Sequence, residues 1–155
     1  MSPDKNGPPT REEPLESALL ALDELSARDP GLRPREGLRQ ELLDLAAAPR
    51  LPLDTAAYAW EELVPGIRIC QVRSDPSRHM RGCVVWAKPG ARTPPHRHLG
   101  DEVILVLSGS LRDERGEYHA NQICRSRTGS VHVEEVLPGE DCFCYIVYYG
   151  GHEPA

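Results

Sequence analysis

Residues 94–102 read "PPHRHLGDE" and bring His96, His98 and Glu102 close together in a chain that has six histidines. All three positions are even, and on an extended strand alternate residues point to the same face. A His-x-His pair on one strand face aims two imidazoles at one point, and a carboxylate beyond the tight "LG" turn can close on it. Imidazole nitrogens with one carboxylate oxygen suit zinc, iron, nickel, copper or manganese, whereas an all-oxygen set would indicate calcium or magnesium. A fourth donor should come from elsewhere in the sheet, and "RTGSVH" offers His132 at the start of a strand just after a glycine turn. The other histidines sit in plainer settings, His79 in a polar loop, His119 beside a turn and His152 in the tail, where surface or hydrogen-bonding roles are expected.

The elements that must position these residues change character along the chain. Residues 1–13 are Pro, Gly and charge, too poor in apolar side chains to offset the entropy of ordering, and are expected to be a disordered tail. Over residues 14–50 the spacing predicts two short helices. Leu15, Leu19, Leu22 and Leu25 share one helical face, and after the break at Asp29-Pro30-Gly31 the pattern returns through Leu38, Leu42 and Leu45 to about Ala48. From Leu53 the helical period vanishes. "AYAWEEL", "IRICQVRS", "GCVVWAK", "EVILVLSG", "NQICRS", "VHVEEV" and "CFCYIVYY" read as short strands divided by turn signals, which predicts a mainly β domain over residues 53–151, a sandwich or barrel.

A chain of 155 residues suits one folded unit with appendages, and its 39% hydrophobic and 27% charged content is that of a globular protein. No apolar run approaches the roughly 20 residues that span a bilayer, and the N-terminus lacks the apolar core of a secretory signal, so a cytoplasmic location is expected. The net charge is −6 and the arginines are scattered, which argues against a surface for nucleic acid. Five cysteines, an odd number without an export signal, make a disulfide framework a poor reading. Cys142 and Cys144 lie two apart on a predicted strand and share a face, with β-carbons expected further apart than the roughly 3.5–4.5 Å a disulfide prefers. They read as small core residues or as a redox pair. Charged "RDERGE", residues 112–117, reads as a solvated hairpin, and Glu134 and Glu135 as strand-surface residues.

"GARTPPHRHLGDEVILVLSG" resembles the first cupin motif in full, with Gly90, His96, His98, Glu102 and Gly109 at every fixed position. The second motif is partly kept: Gly129 and His132 stay in register, while Asn121, Arg127 and Val136 replace its Gly, Pro and Asn. The resemblance implies a double-stranded β-helix, or jelly roll, preceded here by the N-terminal helical hairpin, with one metal held by His96, His98, Glu102 and His132. "WEELVPGI", "VLSGSLRDERGEY", "RTGSVH" and "DCFCYIVYYG" are similar to the ChrR-like branch of cupins, the C-terminal sensor domain of ChrR-type anti-sigma factors. That likeness implies a zinc-bound sensory module of an oxidative-stress response, with Cys142 and Cys144 as redox-sensing thiols. It also implies a homodimer and a protein partner such as an extracytoplasmic-function sigma factor or another regulator. Related cupins resemble acetylacetone-cleaving dioxygenases, which implies the alternative of an Fe2+ enzyme acting on a small diketone-like substrate; Ni2+ or Mn2+ would fit the same ligands. ChrR-type proteins carry an N-terminal zinc-binding anti-sigma domain, and residues 1–69 contain no histidine or cysteine, so that half is not recognisable here.

Overall fold

The structure is a computed structural model and describes residues 54–155 together with Gly37, Gln40, Leu43 and Asp44. The chain divides into two compact units, Met1–Ala47 and Ala48–Ala155. Gln40, Leu43 and Asp44 are helical and fall inside the second predicted helix. The predicted tail and first helix lie outside the described residues. Among the described residues no helix is long and apolar enough to cross a membrane.

The second unit is built of strands: β1 (Glu61–Val64), β2 (Ile67–Asp75), β3 (Met80–Ala87), β4 (His96–His98), β5 (Glu102–Ser108), β6 (Ser110–Asp113), β7 (Gly116–His119), β8 (Ile123–Ser126), β9 (Val131–His132), β10 (Glu135–Val136), β11 (Cys142–Tyr149) and β12 (His152–Pro154). They form a six-stranded sheet in the order β1-β2-β3-β11-β5-β8 and two three-stranded sheets, β10-β6-β7 and β12-β4-β9. The neighbouring strands β5 and β11 of the large sheet are rich in β-branched and aromatic residues, which pack well on a pleated surface. Leu111 and Val136 from the β10-β6-β7 sheet pack with Ile67, Ala87, Ile104, Val106, Cys142 and Cys144 of the large sheet, so the core is the space between the sheets. Strand alternation carries Glu102 onto the same face as Ile104 and Val106. Its carboxylate is thereby delivered to one end of that core, 4% exposed.

Three local features place the donors. The predicted strand "VHVEEV" is two strands: β9 joins the sheet of β4 and β10 joins that of β6. At the handover Glu134 N–H donates to Thr93 Oγ1 (2.9 Å) and Thr93 N–H donates to the Glu134 carbonyl (3.0 Å). The "LGDE" turn is fastened across the sheet by Asp101, whose Oδ1 accepts from the Thr128 backbone N–H (2.7 Å) and hydroxyl (2.9 Å). Asn121, where the resemblance has glycine, adopts a left-handed φ of 68°. Asn tolerates that region better than other side-chain-bearing residues, so this departure leaves the turn intact.

Gly100 in that turn is required by close approach, because a β-carbon there would lie 2.0 Å from the Tyr149 carbonyl oxygen. Backbone cannot yield as a flexible side chain can. Gly100→Ala is expected to destabilise the domain by about 1–3 kcal/mol, read as a lower denaturant midpoint; an unchanged midpoint would contradict this packing of the turn against β11.

Candidate metal centre

β4 is the middle strand of its sheet, and its register decides what meets what. His96 lies opposite His132 on β9, and His98 lies opposite His152 on β12. Directly opposed residues of an antiparallel pair present their side chains on one face a few ångströms apart. Four imidazoles consequently crowd together. His98 Nε2 is 2.9 Å from His132 Nε2, which is 3.0 Å from His96 Nε2. His98 and His132 are buried, at 1% and 4% exposure. Ligand atoms of His98, Glu102 and His132 lie within 4.8 Å of one another. His96 is linked to this group through His132.

The other ring nitrogens set the direction of the lone pairs. His96 Nδ1 lies 3.0 Å from the Pro94 carbonyl, which can only accept, so the proton sits on Nδ1 and Nε2 is free to donate electrons. His132 Nδ1 faces the Ser126 hydroxyl at 3.4 Å and the Asp113 carboxylate at 3.7 Å, an arrangement that leaves its Nε2 pointing inward. A carbonyl or carboxylate behind the ring is the usual way a metal-binding histidine is oriented. His98 Nδ1 is buried with no hydrogen-bond partner among the described residues. Donors about 2.0–2.1 Å from one shared zinc ion lie roughly 2.9–3.4 Å apart, which is the spacing of His132 Nε2 from His98 Nε2 and from His96 Nε2. The donor set fits a divalent transition metal.

Burial holds the His98 imidazole neutral, pushing its pKa down to about 4 against the opposing pull of Glu102. His132 is lowered for the same reason, with His96 adding to the effect. For Glu102 burial acts upward, yet the hydrogen bond from His152 and the surrounding imidazoles outweigh it, and the carboxyl stays below its ordinary value. Neutral imidazoles beside an ionised carboxylate are the protonation states a metal requires of its ligands.

The structure corrects three sequence expectations. His152, read as a tail residue, sits in the cluster with its Nε2 2.8 Å from Glu102 Oε2. No periodicity announces β12, which consists of a few residues after a glycine pair and contains a proline. Asp113 and Arg115 belong to more than a solvated hairpin: Arg115 pairs with the fully buried Asp113 carboxylate behind His132. Burial raises the Asp113 pKa, but Arg115 more than offsets this and keeps it low. Glu134 is not a strand-surface residue, since the break between β9 and β10 turns its carboxyl inward, Oε1 3.7 Å from His132 Nε2 and without a hydrogen bond. Burial, then the neighbouring Glu102 and Asp113, raise its pKa well above the usual carboxylate range. Glu135 does take a surface role, with Arg112 at 3.1 Å.

Glu134 also lines a cavity of about 40 Å³ whose walls include Ile67, Ile104, Leu111, Cys142 and Cys144. This exceeds the roughly 10–15 Å³ that one water needs. Both cysteines are buried and free, and their sulfurs lie 3.4 Å apart. The hydrogen bond with Cys142, followed by burial, raises the Cys144 thiol well above its ordinary pKa.

The depressed His98 pKa makes the metal-free protein acid-sensitive. Between pH 6.5 and about 4 the unfolded chain takes up a proton that folded His98 refuses, so stability falls as the pH drops. The expected loss from pH 7 to 5 is about 2 kcal/mol from this residue, with His132 acting in the same direction. Denaturant midpoints across that range test it, and a flat profile would contradict a neutral buried imidazole.

The family model for the ChrR cupin-like domain matches residues 49–150. The anti-sigma-E factor ChrR of Cereibacter sphaeroides is 30% identical over 106 residues, covering 63% of this chain and 49% of that protein. The chain therefore spans about half the length of that curated relative. Among solved structures, similarity extends to the complex of Rhodobacter sphaeroides SigE with the anti-sigma ChrR, at TM-score 0.56 and 24% identity over 86% of each chain. An acetylacetone dioxygenase from Acinetobacter johnsonii matches at TM-score 0.56 and 16% identity, over 68% of this chain and 76% of that one. These structural likenesses carry the cupin fold, and the family match shows that the chain belongs to the ChrR cupin-like domain family.

Proposed function

We propose that the protein is a metal-binding regulatory module, in which a divalent metal, zinc first, held by His96, His98, Glu102 and His132, sets the state read by a partner protein. The observation that carries this is His132 Nε2 lying 2.9 Å from His98 Nε2 and 3.0 Å from His96 Nε2, with His98, His132 and Glu102 buried together. The proposed partner is a sigma factor of the extracytoplasmic-function type. Support for it comes from the resemblance to the anti-sigma-E factor ChrR and from the solved complex of SigE with ChrR.

In this reading Cys142 and Cys144 are the oxidation-sensitive element. Their sulfurs are neighbours at 3.4 Å on the cavity wall. Burial and the raised Cys144 pKa keep that thiol protonated and slow to react while the domain is intact. A metal that pins β4, β5 and β9 together would protect it, and metal loss would open the way to a small oxidant.

A second reading, a metal-dependent dioxygenase for a small diketone-like substrate, has one specific observation in its favour. Glu134 presents an unpartnered carboxyl oxygen beside both the imidazoles and the apolar cavity, where it can hold a proton and hydrogen-bond a small ligand. Bound iron would supply Lewis acidity and oxygen activation. The chain's own residues would bind the apolar part of the ligand through Ile67, Ile104 and Leu111 and exclude bulk water.

Elemental analysis separates these readings. The purified protein is expected to hold about one transition metal per chain, and His96→Ala with His98→Ala is expected to abolish uptake. Tight zinc and co-purification with a sigma factor support the regulator, whereas iron with oxygen consumption on adding acetylacetone supports the enzyme. No metal under any reconstitution condition would contradict both. A further consequence concerns the thiols: metal-free protein is expected to lose free thiol to hydrogen peroxide faster than metal-loaded protein, and equal rates would remove the sensing role of Cys142 and Cys144.

A further inference from the structure

The C-terminal strand makes a contact with the site that neither the motif spacing nor the family likeness assigns. After β11 the chain reverses at Gly150 and Gly151, both at positive φ (75° and 104°), and returns alongside β4. Leu99 N–H donates to the Gly151 carbonyl (2.9 Å) and Ala155 N–H to the Pro95 carbonyl (3.2 Å), which brackets β12 at both ends. The register between them sets His152 opposite His98, so its side chain shares the face of the metal donors. Its ring lies 4.8 Å from His98 and 5.1 Å from His96 by centroid. Its Nε2 is 2.8 Å from Glu102 Oε2.

That hydrogen bond has an unusual weight because of where Glu102 is. The carboxylate is 4% exposed, so water does little to solvate it, and His152 supplies its hydrogen bond among the contacts described. A buried carboxylate stripped of its partner is costly and free to turn. The Nε2–H of His152 engages one oxygen and leaves the other available to a metal. Carboxylate ligands are commonly held by an outer hydrogen bond of this kind, and its loss typically weakens metal binding roughly 10–100-fold.

We propose that His152 is a positioning residue of the metal centre: it fixes Glu102 for coordination, and through it the C-terminal strand β12 and the bound metal hold each other in place. The inference rests on the metal-binding reading above. It makes β12, docked on an edge of β4, the structural element whose attachment depends on occupancy of the site. Edge pairing by so short a strand is otherwise weak, with Arg97 and Glu153 (3.5 Å, both about half exposed) adding a surface ion pair of little consequence.

The experiment compares the full chain with His152→Ala, His152→Phe and His152→Gln, reading zinc affinity by competition with a chromophoric chelator. Ala and Phe are expected to weaken zinc binding roughly 10–100-fold, Phe doing so although it keeps the bulk of the ring. Gln, whose amide can donate to Glu102, is expected to restore affinity to within about threefold of the original. Hydrogen exchange of the Leu99 amide, which bonds Gly151, is expected to quicken on zinc removal and in the Ala and Phe variants. Unchanged affinity in His152→Ala, or a Gln variant as weak as Ala, would overturn the positioning role while leaving the metal site standing. If the unsubstituted chain takes up no zinc or other divalent metal, the proposed function fails and this inference fails with it.

Discussion

The structure turns on the register of β4 between its two neighbours. A strand of three residues carries two histidines, and pairing with β9 on one side and β12 on the other gives each a cross-strand histidine, His96 with His132 and His98 with His152. A slip of one residue would send both β4 histidines to the opposite face. The register is held by bonds outside the side chains themselves: His98 N–H to the Ser130 carbonyl, Gly129 N–H to the His98 carbonyl, and Asp101 gripping Thr128. The consequence is an electrostatic demand. Neutral imidazoles buried with their lone pairs converging repel one another, and a shared cation is the species that relieves this while also compensating Glu102.

The rest of the domain meets that demand in layers. The six-stranded sheet supplies Glu102 from the end of β5, on the same face as the apolar residues that follow it. The small β10-β6-β7 sheet supplies Asp113 behind His132, held by Arg115 across its own hairpin. Glu134 marks the point where the polar cluster gives way to the apolar interior, and Cys142 and Cys144 stand on the cavity wall beyond it. One end of the domain therefore gathers imidazoles and carboxylates and the adjoining interior holds a small apolar cavity, which is why regulation and catalysis can both be argued from the same residues.

Much of this was legible in the residues. The even spacing of His96, His98 and Glu102 needs only strand geometry, and the glycine before His132 marks a strand start, so four candidate donors could be named from the sequence alone. The mainly β character followed from short β-branched runs between turn signals, and the jelly roll from the motif. What escaped detection shares one physical cause, long-range pairing. His152 reaches the cluster because β12 folds back on β4, Asp113 because a hairpin lies behind β9, and Glu134 because "VHVEEV" breaks as it passes from one sheet to another. None of these leaves a local pattern, since each depends on which edge a strand chooses. The Cys142 and Cys144 sulfurs lie 3.4 Å apart beside a register shift between β11 and β5, where Phe143 and Cys144 face Ser108 and Val106 and Leu107 is the extra residue on β5.

The central claim is that three imidazoles and one carboxylate form a single metal site. X-ray absorption at the edge of whichever metal the purified protein holds tests this most directly, because it identifies the donor atoms. The account predicts a first shell of nitrogen and oxygen at about 2.0–2.2 Å with the outer scattering of three imidazoles. A sulfur shell near 2.3 Å, placing the metal on the thiols, or fewer than three imidazoles, would contradict it.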